Sequence, residues 1–256
     1  MINDFGNAKL MEGYRMNKTS LLGMIDGHLS TDISKRDIRD ELKHYISPLT
    51  KNNLQIIETG MNVKHLNDMK KIIQQMGVYQ NQSDFKKILK ALTRANLENF
   101  VWQVAISNSI QGKTKQSRDA IVDFILNKGA AFYNRLKNGD WALVEEMEVF
   151  VSSKSRHECS WCSKTCKYLQ EYLFDGDSYY IYDNNAVGKV NDYREYYGLE
   201  KTAKTTIDVK KNPTQWYENL CKSLDELKAK SQGLSRAEID HILWGYEKFK
   251  VDLVRI

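Results

Sequence analysis

The chain has 256 residues, 41% of them hydrophobic and 28% charged, with a formal net charge of +5. That length buries a full core as one large domain or two small ones, and the composition excludes wholesale disorder. The basic excess is mild and diffuse, unlike the concentrated face of a dedicated nucleic-acid binder, and no run of about 18 apolar residues offers a transmembrane helix.

The first twenty residues lack the apolar stretch of a signal peptide, so the expected location is the cytoplasm, with no membrane partner. Only two prolines occur, Pro48 and Pro213, which favours long helices. Residues 1–33 carry Gly6, Gly13, Gly23 and Gly27 and predict an irregular N-terminal arm.

A helical domain is predicted over 34–140. Ile38, Leu42 and Tyr45 repeat at four and three before Pro48. Leu54, Ile57, Met61, Leu66, Met69, Ile73 and Met76 form a looser stripe closed by Gly77. Ser83 is a candidate cap for a helix bearing Phe85, Ile88, Leu89, Leu92, Phe100, Val101 and Val104, reaching about residue 110. Ser117 opens another, with Ile121, Phe124, Ile125, Phe132 and Leu136 on one side.

The pattern changes near Trp141, and residues 141–212 predict a loop-rich region with short strands around a Cys/His cluster. Val149 and Val151 alternate with Phe150 and Ser152, which suits a strand. Eight of the fourteen tyrosines fall within 168–197 among Asp, Asn and Gly, suggesting loops and a small hairpin. Helices return over 213–256. Asn212 and Pro213 suit a cap and first turn before Trp216, Leu220, Leu224 and Leu227. Ser235 with Glu238 forms a capping box before Ile239, Ile242, Leu243, Tyr246 and Phe249. The expected fold class is mainly α, a helical body with a small irregular β/loop region.

Three of the four cysteines, Cys159, Cys162 and Cys166, lie within eight residues, a local cluster rather than a disulfide framework. Two cysteines separated by two residues can place both thiolates on one zinc ion across a tight turn. His157 and Cys166 are the nearest further ligands, and Cys221, His28, His44, His65 or His241 can replace one of them. The same spacing supplies three thiolates to an iron–sulfur cluster, with Cys221 as a fourth, although the extra Cys-x2 unit and trailing proline of ferredoxins are missing. Unligated thiols in a reducing compartment are the plain alternative. A deaminase does not fit, because Glu158 directly follows His157 and no second cysteine pair exists.

Elsewhere the chemistry is sparse. Gly112-Lys113-Thr114 lacks the leading glycine of a phosphate-binding loop, and neither His-Glu-x-x-His nor Gly-x-Ser-x-Gly occurs. Asp175, Asp177 and Asp183 would be the carboxylates of a metal-dependent nuclease, though such residues more often form turns. Lys201, Lys204, Lys210 and Lys211 are the nearest approach to a nucleic-acid contact.

A helical segment, then Met147 to Ser153 running into Ser155 to Cys162, then Tyr168-Leu169 and Phe174-Asp175-Gly176, resembles the C-terminal part of phage Mu F-like head-morphogenesis (minor capsid) proteins. The resemblance spans about residues 90–180, and its most specific element is Cys159-x-x-Cys162 preceded by Arg156 and His157. The glycine lies farther from the cysteine pair than in that family, Cys166 is extra, and the downstream His/Cys motif is missing. The resemblance implies a non-enzymatic structural phage protein, in host cytoplasm or virion, stabilised by a zinc knot and assembling with itself or with other structural proteins. A zinc-containing nucleic-acid-binding protein, and a metal-dependent nuclease or iron–sulfur enzyme, are the readings from other classes.

Overall fold

A computed structural model describes residues 91–254, except 109, 111 and 232, together with 49–52 and 54. The predicted N-terminal arm, the stripes at 38–45 and 57–76 and the Ser83 cap lie outside the described residues. Among the described residues every regular element is helical and there is no strand. They form two compact units, one of 91–183 and 202–225, the other of 184–201 and 226–254 with the described part of 49–54.

In the larger unit, α1 (Arg94–Ser107) buries Leu97, Phe100, Val101, Val104 and Ala105 at the three-and-four spacing of one helical face. The helix expected to run from Ser83 to about 110 is interrupted at Leu92 and Thr93, because the Thr93 hydroxyl accepts the Asn96 amide (3.3 Å) and starts α1 afresh. Helix α2 (Lys115–Lys128) opens two residues before the expected Ser117. Thr114 is its cap, accepting from the Ser117 amide at 3.1 Å. Gly129, at φ +50°, then breaks what looked like one helix, and α3 (Ala130–Lys137) follows.

The strand expected at 149–152 is instead part of α4 (Ala142–Lys154). Leu143, Val144, Met147, Glu148 and Val151 are buried on one side, a helical stripe that outweighs four residues of alternation. The loop-rich 168–197 segment is also largely helical. Helix α5 (Cys159–Phe174) reaches Phe174, and α6 (Asn184–Tyr196) begins ten residues later. No hairpin forms and no strand is present among the described residues, while 175–183 and most of 197–215 stay irregular between the helices.

Helix α5 is enclosed on almost every side and packs against α1, α3 and α4. Its buried residues include Lys164, Thr165, Lys167 and Gln170 as well as Trp161, Leu169 and Leu173. Two of the polar members are satisfied locally: Gln170 donates to the Leu136 carbonyl (2.9 Å) and accepts from the Ser178 amide (2.8 Å), while Lys164 faces Asp183 at 3.5 Å; the Thr165 hydroxyl is buried without a hydrogen-bond partner among the described residues. Buried tyrosines act as struts. Tyr168 donates to Asn108, Tyr179 to the Asp140 carbonyl and Tyr180 to Asp225. After a 3-10 turn at Lys204–Thr206, α7 (Trp216–Lys230) begins, and its first ten residues, with Trp216, Tyr217, Leu220 and Cys221 buried, complete this unit.

In the smaller unit α6 packs against α8 (Arg236–Val254). The predicted capping box is present: the Ser235 amide donates to Glu238 (2.7 Å), and the Glu238 amide donates back to the Ser235 hydroxyl (3.2 Å). Buried Arg194 donates to the Glu200 carbonyl (2.6 Å) and pairs with Glu226 (2.6 Å).

Candidate functional site

The chemistry predicted from the sequence gathers where α4 turns into α5. Helix α4 stops at Lys154, Ser155 leaves the helical region (φ −141°, ψ −103°), and Glu158 stands before the first turn of α5. The Glu158 carboxylate is buried, and such a charge is tolerated only with partners. Its Oε1 accepts from Arg156 Nε and from Ser117 Oγ, both at 2.8 Å. Ser117 Oγ in turn meets Ser155 Oγ and Thr114 Oγ1, each at 2.9 Å. One carboxylate therefore ties the start of α2 to the start of α5.

Gly112 completes this joint. It holds φ +62°, and a side chain there would collide with the Arg156 guanidinium, so the backbone lies flat beneath that group. The segment 112–114, unsuited to phosphate by its sequence, instead lies against the guanidinium of the arginine that pairs with Glu158. His157 points the other way, its Nδ1 2.7 Å from Oε1 of Glu148, a carboxylate only 1% exposed.

Each side of the first turn of α5 is also anchored from a distance. Trp161 is buried and donates its indole N–H to the Val101 carbonyl (2.8 Å). Ser163 Oγ accepts the Tyr182 amide at 3.0 Å. Tyr182 lies edge-on to Trp216 at 4.8 Å, and its hydroxyl is pushed up to about 12 by burial, helped by Cys159, Asp208 and Glu148.

Cys159, Cys162 and Cys166 stand at the first, fourth and eighth positions of α5, along one helical face rather than across the expected tight turn. Cys159 keeps 7% exposure, whereas Cys162, Cys166 and Cys221 are wholly enclosed. Burial pushes the Cys159 thiol well above its ordinary value, with Glu148 adding to the effect. Burial does the same to Cys162, reinforced by its neighbours Cys159 and Cys166, and to Cys166. Cys221 sits on α7, and the Tyr179 hydroxyl is within electrostatic range of both it and Cys166. The donors proposed for zinc or an iron–sulfur cluster share one unit, yet no group of three or more His, Cys, Asp or Glu side chains is disposed to hold a metal among the described residues. His28, His44 and His65 lie outside the described residues, and His241 belongs to the other unit.

The remaining candidates separate. Lys201 belongs to the smaller unit and pairs with Glu195 at 2.8 Å, whereas Lys204, Lys210 and Lys211 are exposed in the larger one. Asp175 ends α5 in the left-handed region (φ 53°), as expected of a turn former, and Asp183 faces Lys164.

A residue passed over in the sequence is Glu145. Nearly buried, its Oε1 accepts the Tyr217 and Glu218 amides (2.9 and 3.0 Å), capping α7 from α4. It takes the place expected of Asn212, which lies in the preceding turn with its amide on the Asp208 carbonyl. Burial raises the Glu145 carboxyl, partly opposed by these two amides. No local pattern could have indicated a cap 72 residues away. Thr114-x-x-Ser117, by contrast, is a readable start signal. No helix among the described residues is long and apolar enough to cross a membrane. No protein-family model, no curated protein and no solved structure matches the chain.

Proposed function

We propose that this chain is a structural or assembly protein, of the kind its resemblance to head-morphogenesis proteins implies, associating with itself or with other structural proteins. The observation that carries the reading is the use made of the candidate site. Arg156 and His157 each sit on a buried carboxylate, Ser117 and Ser155 close the network, and the thiols face inward with their protonated form favoured. Catalysis requires groups aimed at a reacting atom and free to change protonation. Here the same residue types are spent holding two helix starts together, which suits a protein whose task is to keep a shape under load.

Sedimentation velocity of the full chain over a wide concentration range tests this, alongside DNA and RNA binding at several salt concentrations. Concentration-dependent association into defined oligomers supports the assembly reading. A monomer at all concentrations that binds nucleic acid with a steep salt dependence overturns it in favour of a nucleic-acid-binding protein using Lys204, Lys210 and Lys211.

A further inference from the structure

Helix α4 carries a second side besides the one it buries. Leu143, Val144, Met147 and Val151 face the core, whereas Ala142, Glu146, Val149, Phe150 and Ser153 share another side at helical spacing. That side lines a groove of about 900 Å³ between α2, α4 and the chain that leads into α7 at Pro213. The floor is aromatic. Phe124 and Phe150 stand 5.7 Å apart, with the Lys128 and Lys154 ammonium groups 5.3 and 4.2 Å from the ring centres. Val149 rises from it at 47% exposure. A lone exposed apolar side chain is ordinary on a protein surface, but one standing in an aromatic groove marks a place of contact.

The charges select the occupant. Around the groove they are balanced within the chain, Lys128 with Glu146 at 2.6 Å and Lys154 with Asp123 at 3.5 Å. A strongly acidic or basic partner therefore meets no net field of opposite sign. Along α4, however, the signs are ordered, with Glu146 before Val149 and Phe150 and Lys154 after them. Glu146 and Ser153 lie equally far from the midpoint of Val149 and Phe150, and Lys154 is next to Ser153. Crossed antiparallel to a copy of itself at that midpoint, α4 sets each Glu146 towards the Ser153 hydroxyl and Lys154 ammonium of the other copy. Each Val149 then enters the other copy's groove.

We infer that this groove is a self-docking surface, in which α4 of one copy crosses α4 of a second about a two-fold axis through Val149 and Phe150. Such an interface is isologous, the same patch serving both copies, and it closes at two chains. The inference rests on the assembly reading and deepens it, naming a second copy as the partner and the groove between α2 and α4 as the contact.

Sedimentation velocity of the full chain compares wild type with Val149→Glu, a change on an exposed side chain, with circular dichroism to check that the helices are kept. The expected result is self-association of wild type and a dissociation constant raised about tenfold or more in the variant, because two carboxylates then meet across the axis away from water. In Val149→Cys a short bismaleimide links two chains at position 149, while wild type, whose cysteines are buried, stays unlinked. Wild type that remains monomeric at every concentration overturns this inference together with the assembly reading. Association at wild-type strength in Val149→Glu overturns this inference alone. So does a Val149→Cys assembly that the bismaleimide cannot link, which would give the groove to another segment of the chain or to a different protein.

Discussion

Replacing Glu145 isolates a helix cap supplied from outside its own helix. In Glu145→Ala the Tyr217 amide, which is buried, and the part-buried Glu218 amide lose their acceptor together. A stranded buried donor costs about 1–3 kcal/mol and the more accessible one less, so the expected destabilisation is about 2–4 kcal/mol. Glu145→Gln keeps a carbonyl oxygen in the same place and loses only the charge against the helix N-terminus. That costs about 1 kcal/mol or less, because burial already disfavours the charge. The assay is amide hydrogen exchange across 213–224, with denaturant midpoints beside it. Protection of Tyr217 and Glu218 should collapse in the alanine variant and persist in the glutamine variant. The pH dependence supplies a second readout. A carboxyl raised in the folded state lowers stability as pH climbs from its unfolded value, about 4.5, through the folded one. Glu145→Gln removes that decline. Equal losses in the two variants, or a loss in Glu145→Ala below about 0.5 kcal/mol, would refute the capping argument.

Gly112→Ala should destabilise the α2–α5 joint by about 1–3 kcal/mol, since it forces a left-handed alanine and displaces Arg156 from Glu158; faster proteolysis near 112–117 checks it, and unchanged kinetics contradict it. Glu146 is held down to about 2 by Arg135 and then Lys128, so its contribution is complete above pH 4.5 and disappears as pH falls towards 2. The side chain is 41% exposed and screened by solvent, which limits the effect to about 1 kcal/mol; urea midpoints of wild type and Glu146→Gln should converge over that window. Chelation of protein purified without metal-affinity steps should leave its melting temperature unchanged, because hydrogen bonds already hold the α4–α5 turn. A fall on chelation that zinc reverses would replace that account with a metal-based one.

What the sequence made legible was local. The Ser235–Glu238 box lies within one turn and was readable as it stands. The Val149–Ser152 alternation misled because four residues cannot distinguish a strand from part of a helix, whereas the stripe from Leu143 to Val151 can. The cysteines at 159, 162 and 166 carry helical spacing, but their identity as metal-ligand types drew attention from their period. The site's own architecture was hidden for another reason. Glu158 with Ser117, and Glu145 with α7, join residues far apart in sequence, and only the packed chain brings them together.

The enclosure of α5 also constrains the order in which the larger unit can assemble. Its side chains bond to partners 60 residues upstream at Val101 and Asn108, and 34 upstream at Leu136. Such long-range closure is slow compared with forming a single helix. During synthesis α1 to α4 leave the ribosome with the surface that will cover α5 still bare; α1 waits about sixty residues' worth of translation, several seconds at typical rates, for the central helix, and α4 only about twenty. A nascent chain arrested before Cys159 is therefore the species most in need of a chaperone, and one arrested well beyond Phe174 has passed that hazard.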